Sequence, residues 1–306
     1  MTSSFSTVGL IGRRGTATIR DSLETVLKLL LDKGVRVVME EDTATIMGNG
    51  ERSDRDLYER APRLALGEQA DLIVVVGGDG SLLGVGRDLA HSGVPVVGVN
   101  RGGLGFLADI APEQIDAALT EVLAGRYREE DHFLLHARIV RNGEEVAGSP
   151  ALNDVVVHLG GMARMMEISL WIDDEFVYDQ RSDGLIIASP TGSTAYALSA
   201  GGPIMHPSLD AIVVVPMFPH TLTSRPLVVR GRSEIRVSVG GENQEARISC
   251  DSQVDFLLDP GDEVVISKYQ TPLRLIYPLE HSFFDSCRSK LDWASRLGGG
   301  AESADG

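Results

Sequence analysis

Residues 71–83 read "DLIVVVGGDGSLL". A continuous apolar run, Leu72 to Val76, stops at two glycines, an aspartate and a third glycine, and a helix-like segment follows. An unbroken apolar strand of this kind is the pattern of a parallel strand covered on both faces. The glycines supply a tight strand-to-helix turn, and Asp79 could cap the helix that begins near Ser81. The same glycines would also let backbone N–H groups approach a phosphate or ribose, leaving Asp79 room to orient a hydroxyl or take its proton.

Strands and helices alternate on both sides of this stretch. "STVGLIG", "VRVVME" and "VPVVGVN" read as strands, and "DGSLLGVGRDLAHSG" and "APEQIDAALTEVLAGR" as helices. "RDSLETVLKLLLDKG" places Leu23, Val26, Leu27, Leu30 and Leu31 on one helical face, with Asp21 and Glu24 as a capping box and Gly34 as the stop. The alternation predicts an α/β layer over residues 1–131, a doubly wound, Rossmann-like parallel sheet with ligands at the carboxyl ends of its strands. Asp79 stands at one such end.

From residue 132 to 280 the pattern changes to short strands and turns. "HFLLHARIVRNGEEVAG" is a hairpin around Asn142-Gly143. "LNDVVVHLG", "MMEISLWIDDEFVYDQ", "DGLIIAS", "AIVVVPM", "RPLVV", "EIRVSVG", "ARISCDS" and "DEVVISKY" each read as a strand. An all-β, antiparallel, sandwich-like C-terminal domain is expected. Residues 281–297 look helical and are expected to pack back on the first domain, with 298–306 a disordered tail.

Bulk composition narrows the partners. The chain has 306 residues and 44 acidic against 28 basic side chains, a net charge of −16. Nucleic acid and anionic membranes need a basic footprint, so neither is expected as a partner. Two cysteines without CxxC spacing indicate neither a disulfide framework nor a zinc site. With no secretory signal pattern at the start, a reducing cytoplasm is the expected location. No GxxxxGK[ST] or GxGxxG occurs, so a P-loop and a dehydrogenase fingerprint are both excluded.

Further stretches carry candidate chemistry. "NRGGLGFLAD" (100–109) is a second glycine cluster at a strand end, and "LNDVVVH" sets Asn153 and Asp154 ahead of an apolar strand. In "RSDGLIIASPTGSTAYALSAGGP" (181–203) a strand runs into Ser189, Thr191, Ser193 and Thr194 and then an Ala-rich helix. Small hydroxyls there can cap that helix or donate to phosphate and ribose.

Together, GGDG, NRGGLGFL, LNDVVVH, SDGLIIASPTGSTAYALSAGGPI and "VPMFPHTLTSRPLVV" resemble the NAD kinase family in order and spacing, from the first strand to about residue 280. GGDG is shared with diacylglycerol, sphingosine and phosphofructokinases, whereas the PTGSTAY segment is specific. Ser81 and Ser189 stand where the family more often has threonine, and both keep a hydroxyl. The resemblance implies transfer of the γ-phosphoryl of ATP to the 2′-hydroxyl of the adenosine ribose of NAD, with Mg²⁺ or another divalent cation on the ATP.

By the same resemblance Asp79 is the catalytic carboxylate. The NAD contacts would be Asp79, Gly80, Asn153, Asp154, Arg164, Arg181, Asp183, Thr194, Ala195, Tyr196, Ala197, Leu198, Ser199 and Gln253. His158, on an alternating strand, reads as a structural histidine, and His220 resembles a family position close to the site. The family implies a homodimer or homotetramer. The competing readings are a lipid kinase sharing the GGDG fold and a non-catalytic NAD(P)-binding sensor.

Overall fold

The computed structural model describes residues 4–13, 17–47, 57–101, 105–160, 165–240, 246–291 and 293. The first sheet holds β1 (Thr7–Gly12), β2 (Arg36–Glu40), β3 (Glu59–Ala61), β4 (Leu72–Gly77), β5 (Val96–Asn100), β6 (Arg128–His132) and β19 (Leu273–Tyr277). Its order is β3-β2-β1-β4-β5-β19-β6. Every pairing is parallel except that of β19 with β6. The chain winds outward from β1 in both directions, so the switch point lies between β1 and β4. β4 is buried along its whole length, as its unbroken apolar run requires.

Helices cover both faces. α1 (Ala17–Asp32) and α5 (Ile115–Leu123) pack Leu23, Val26, Ile115 and Leu119 on one side. α3 (Arg63–Gln69) and α4 (Asp79–Leu89) pack Leu66, Leu82 and Leu89 on the other. The short α2 (Glu41–Met47) follows β2.

α1 starts earlier than its capping box suggests. Ile19 is buried on the same face as Leu23, so the apolar stripe begins a turn sooner. Asp21 and Glu24 therefore lie inside the helix, where Glu24 accepts from Arg20 at 2.8 Å. Gly34, at φ 70°, ends the helix as expected.

The remaining strands form two six-stranded antiparallel sheets. One holds β7 (Leu135–Arg141), β8 (Glu144–Ala151), β10 (Met166–Ile172), β11 (Glu175–Ser182), β15 (Ile235–Gly240) and β18 (Glu263–Lys268). The other holds β9 (Asp154–Leu159), β12 (Gly184–Ala188), β13 (Ala211–Met217), β14 (Leu227–Arg230), β16 (Ala246–Cys250) and β17 (Val254–Leu257). A single apolar core drawn from both, including Ile139, Val157, Ile168, Ile187 and Val264, makes them a sandwich. On the outer face of β12 and β13, Ala197 and Met205 cover Ile186, Val213 and Val215. That second cover explains why these strands read as continuous rather than alternating apolar runs.

Two features depart from expectation. "MMEISLWIDDEFVYDQ" is a hairpin, β10 to β11, turning at Asp173 and Asp174 with φ 51° and 64°. Aspartate tolerates that left-handed conformation, so the turn needs no glycine. The segment near 273 is also a strand, and it returns to the first sheet beside β5 instead of joining the β-rich part. Leu273, Leu275, Ile276 and Tyr277 are buried there, a double cover that only a central strand obtains.

The last helix, α7 (Phe283–Lys290), is capped by Ser282 and places Phe283 6.4 Å from the Phe106 ring, on the first part of the chain. The expected tail, 298–306, lies outside the described residues. Among the described residues no helix is long and apolar enough to cross a membrane.

Candidate active site

Asp79 opens α4 directly behind β4, but its carboxylate does not cap that helix. Its N-cap is Gly78, and no side chain caps it. The carboxylate turns instead to the loop leaving β5. Asp79 Oδ2 accepts from the Phe106 amide at 2.6 Å, and Oδ1 from the Leu107 and Ala108 amides at 3.1 and 3.2 Å. There three loop amides hold both of its oxygens in charge-assisted hydrogen bonds. Gly105 makes this approach possible, since a Cβ there would lie 2.0 Å from Asp79 Oδ1. Gly105 of the second glycine cluster thus makes room for the aspartate of the first.

Gly80 and Gln253 meet. Gln253 Nε2 donates to the Gly80 carbonyl at 2.7 Å, while its Oε1 accepts from Arg87 at 2.8 Å. This bridge ties the β16–β17 turn to the first turn of α4.

Asn153 and Asp154 sit at the start of β9, held by Asp251 of the same β16–β17 turn. Asp251 accepts from the amides of Leu152, Asn153 and Asp154 at 2.8, 2.7 and 3.1 Å. Both carboxyls are buried. Burial, then the charge of Asp251, pushes the Asp154 carboxyl up to about 7. Burial also pushes Asp251 up, against the three amides and Arg87. Cys250 next to them is an inert thiol, pushed up to about 12 by burial and by Asp251.

The elbow after β12 packs on the Asn153 backbone. A Cβ on Gly192 would come within 2.0 Å of the Asn153 carbonyl oxygen. The elbow's hydroxyls hold the turn together: Ser189 Oγ donates to the Leu152 carbonyl at 2.5 Å, Ser193 Oγ to Pro190 at 2.6 Å and Thr194 Oγ1 to Thr191 at 3.1 Å. None of them caps a helix, and the expected Ala-rich helix is a single turn, α6 (Tyr196–Ser199). The chain that follows instead runs over the sheet face, where Met205 is buried.

Within the dinucleotide run, side chains divide by exposure. Tyr196 is 43% exposed and so is not a core aromatic, and Ser199 is exposed. Thr194, Ala195 and Leu198 are half-buried, whereas Ala197 is fully buried and packs in the core. Thr191 and Thr194 share a small cavity with Phe106 and Leu107, which joins the elbow to the Asp79 loop. His132 Nδ1 lies 2.9 Å from Thr191 Oγ1 there.

Two expected residues lie elsewhere. Asp183 precedes β12 and the elbow follows it, so six residue steps at about 3.3 Å separate Asp183 from Ser189 by roughly 20 Å. Arg181 is at that far end too, exposed and paired with Glu167 at 2.9 Å. His158 pairs opposite Gly184, and the His220 amide donates to the Arg181 carbonyl at 2.9 Å, so both belong to the far end. Arg164 lies outside the described residues.

The ATP-NAD kinase N-terminal domain family matches residues 8–127, and the ATP-NAD kinase C-terminal domain family matches residues 152–277. The chain belongs to the NAD kinase family. An NAD kinase of Pseudomonas fluorescens strain SBW25 is 50% identical over 300 residues, 97% of this chain and 99% of that one. One of Pseudomonas syringae pv. tomato is 49% identical over the same coverage. Among solved structures, yeast NADH kinase complexed with NADH superposes with TM-score 0.86 at 26% identity, covering 95% of this chain and 88% of its own. An NAD kinase from Archaeoglobus fulgidus in complex with ATP superposes with TM-score 0.72 at 25% identity, covering 92% and 99%.

Sequence reasoning missed two parts of this NAD kinase site. Asp251 stands two positions before Gln253, in a turn where its φ is 53°, and an aspartate between two apolar strands was the available signal. The amides of 106–108 carry no side-chain signal at all. Among the described residues no three His, Cys, Asp or Glu side chains converge as a metal cage. A divalent ion entering on the phosphates of ATP requires none.

Proposed function

We propose that the chain phosphorylates the 2′-hydroxyl of the adenosine ribose of NAD with the γ-phosphoryl of ATP, giving NADP and ADP. The observation that carries this reading is the Asp79 carboxylate, held by three amides at the carboxyl end of β4. A carboxylate has about four acceptor positions, so one remains for a ribose hydroxyl. In the reaction the 2′-oxygen forms a bond to the γ-phosphorus as its bond to the bridging oxygen breaks. ADP leaves with the electron pair, and the hydroxyl proton passes to Asp79. With a loose transition state, positioning and charge neutralisation supply most of the rate, and the proton transfer about 10²–10⁴-fold. Mg²⁺ or another divalent cation enters with ATP as part of the substrate.

Gly80, Asn153, Asp154, Gln253 and the exposed or half-buried members of the run 194–199 are proposed as NAD contacts from one chain. Arg181 and Asp183 lie too far along β12 to join them, which supports a homodimer or homotetramer in which a neighbouring copy supplies that end. A cytoplasmic location suits the two free, buried cysteines. A lipid acceptor and a non-catalytic sensor are not favoured by the family match, and the sensor leaves the prepared Asp79 carboxylate unexplained.

The test is purified protein with ATP, Mg²⁺ and NAD, followed by an NADP-specific coupled dehydrogenase. NADP should form with wild type and fall by at least about 10²-fold with Asp79→Asn while the thermal melt is retained. No NADP from wild type, or normal turnover in Asp79→Asn, would refute the assignment.

A further inference from the structure

The three amides that hold Asp79 belong to a loop, and a loop aims a group only as well as it is itself held. Its exit is secure. The Ile110 amide donates to the Gly98 carbonyl at 3.3 Å, and the Asn100 amide to the Ile110 carbonyl at 2.8 Å. Leu107 and Ala108 are buried in the core between the first sheet and α4, which fixes their depth. Buried side chains still leave the peptide planes some freedom to turn, and hydrogen bonds weaken steeply as the N–H leaves the acceptor's direction.

Asp109, directly after the amide run, ties the loop from the side. Its Oδ2 lies 2.9 Å from Nδ1 of His281, in the segment between β19 and α7. His281 is buried and clamped on several sides. Its ring stacks on that of Tyr277, with centroids 3.9 Å apart and planes within 10°. Its amide donates to the Pro278 carbonyl at 3.0 Å, and its carbonyl accepts from Arg128 at 3.0 Å. Tyr277 and Arg128 face each other across the β19–β6 ladder, so the imidazole is set by two paired strands. The same C-terminal segment reaches the loop again at Phe106, through Phe283 and through the Lys290 ammonium 4.1 Å from the Phe106 ring centre.

Nδ1 and Oδ2 are at hydrogen-bond distance with the N–H off line. The terminal torsion of aspartate is broad, so a small turn of the half-buried Asp109 carboxylate aligns the pair at little cost. An imidazole serves that carboxylate when Nδ1 carries the proton. A purely packing role would need only the face of the ring, which phenylalanine would supply as well.

We propose that His281 is a positioning residue for the phosphoryl transfer. Through Asp109 it sets the direction of the amides of Phe106, Leu107 and Ala108, and through them the aim of the Asp79 carboxylate. The inference rests on the NAD kinase reading and adds to it a residue that acts on the reaction through the loop.

Two substitutions separate the ring's face from its donor. His281→Phe keeps the stack on Tyr277 and removes Nδ1, whereas His281→Asn gives up the stack and keeps a side-chain N–H near the Nδ1 position. In NADP formation His281→Phe should lower kcat on the order of tenfold, as the loss of one polar contact implies, with the KM for ATP and for NAD within about twofold. His281→Asn should recover most of that loss. Amide hydrogen exchange of the free protein, read by mass spectrometry on the peptide covering 105–109, should be faster in His281→Phe and close to wild type in His281→Asn. Turnover of His281→Phe at or above that of His281→Asn, a loss carried by KM, or unchanged exchange in His281→Phe overturns the inference. A wild type that makes no NADP refutes the function instead, and the exchange comparison still decides the role of His281. Should either variant fail to fold, Asp109→Ala decides by the same exchange: faster at 105–109 supports the tie, and unchanged rejects it.

Discussion

Asp79 is aimed by backbone rather than by side chains. With the amides of Phe106, Leu107 and Ala108 on its two oxygens, it is fixed as firmly as the loop itself. Gly105 controls that fit. In Gly105→Ala the new Cβ would stand 2.0 Å from Oδ1, so the carboxylate must move. Misplacement of a reacting group by about 1 Å can cost about 10²-fold in rate, and kcat should fall by that order while the thermal melt changes little. A kcat within twofold of wild type (about a factor that small rearrangement can absorb) would show that Asp79's aim is not critical.

Asp154 makes a second prediction at this scale. Its folded carboxyl titrates at about 7, well above its ordinary value of 3.8, because it is buried beside Asp251. The native state therefore holds this proton more tightly than the unfolded chain does. The group's contribution to stability is fully present below about pH 4 and is lost as pH rises to about 7, on the order of 4 kcal/mol at most. Denaturant unfolding at pH 5 and pH 8 should show the fall in wild type and a smaller one in Asp154→Asn. Equal falls would remove Asp154 as the cause.

Turns and strand ends decide the elements. The β10–β11 turn keeps Asp173 for its side chain, which accepts from Ser233 and the Glu234 amide, both at 3.0 Å. Asp174 makes only a long, exposed ion pair with Arg236, at 3.9 Å, which contributes little. Its side chain is 94% exposed and its φ is 64°. Asp174→Gly should stabilise the protein by about 0.5–1 kcal/mol, read as a higher denaturation midpoint at constant m. No change would mean that the flexibility gained by the unfolded chain offsets the relieved strain.

At the elbow, Gly192→Ala forces a Cβ against the Asn153 carbonyl, which is backbone and cannot swing away. A loss of about 1–3 kcal/mol in thermal unfolding is expected, together with lower affinity for NAD. A melt and NAD affinity equal to wild type's would refute the close approach.

Such elements were legible to different degrees. Runs such as Leu72–Val76 and the Asn142-Gly143 turn announce strands and hairpins by local chemistry. The Asp173-Asp174 turn did not, because aspartate is ordinary surface composition until its φ is known. Asp79 was legible as a working carboxylate, but its partners are main-chain amides, which no residue type reveals. Arg181 and Asp183 were grouped with the elbow through motif order, and strand length then separates them.

That separation has its consequence for the whole molecule. If a neighbouring copy completes the site, Asp79→Asn and Asp183→Asn subunits are each inactive alone but complementary in a hybrid. In a two-fold dimer, random exchange of equal amounts makes half the dimers hybrid, each with one intact site, so about a quarter of wild-type activity returns. No recovery, with hybrid formation verified by native mass spectrometry, would return Arg181 and Asp183 to purely structural roles.

The placement of β19 also reaches beyond the finished fold. Its partner β5 precedes it by about 180 residues, and a ribosome adding about 5–20 residues per second needs roughly 10–35 s to cover that interval. Throughout that time the outer edge of β5 has its hydrogen-bonding groups exposed, an invitation to pairing with another nascent chain. The first half of the protein to emerge is thus among the last to be closed, and the exposure ends only when Leu273–Tyr277 leaves the exit tunnel.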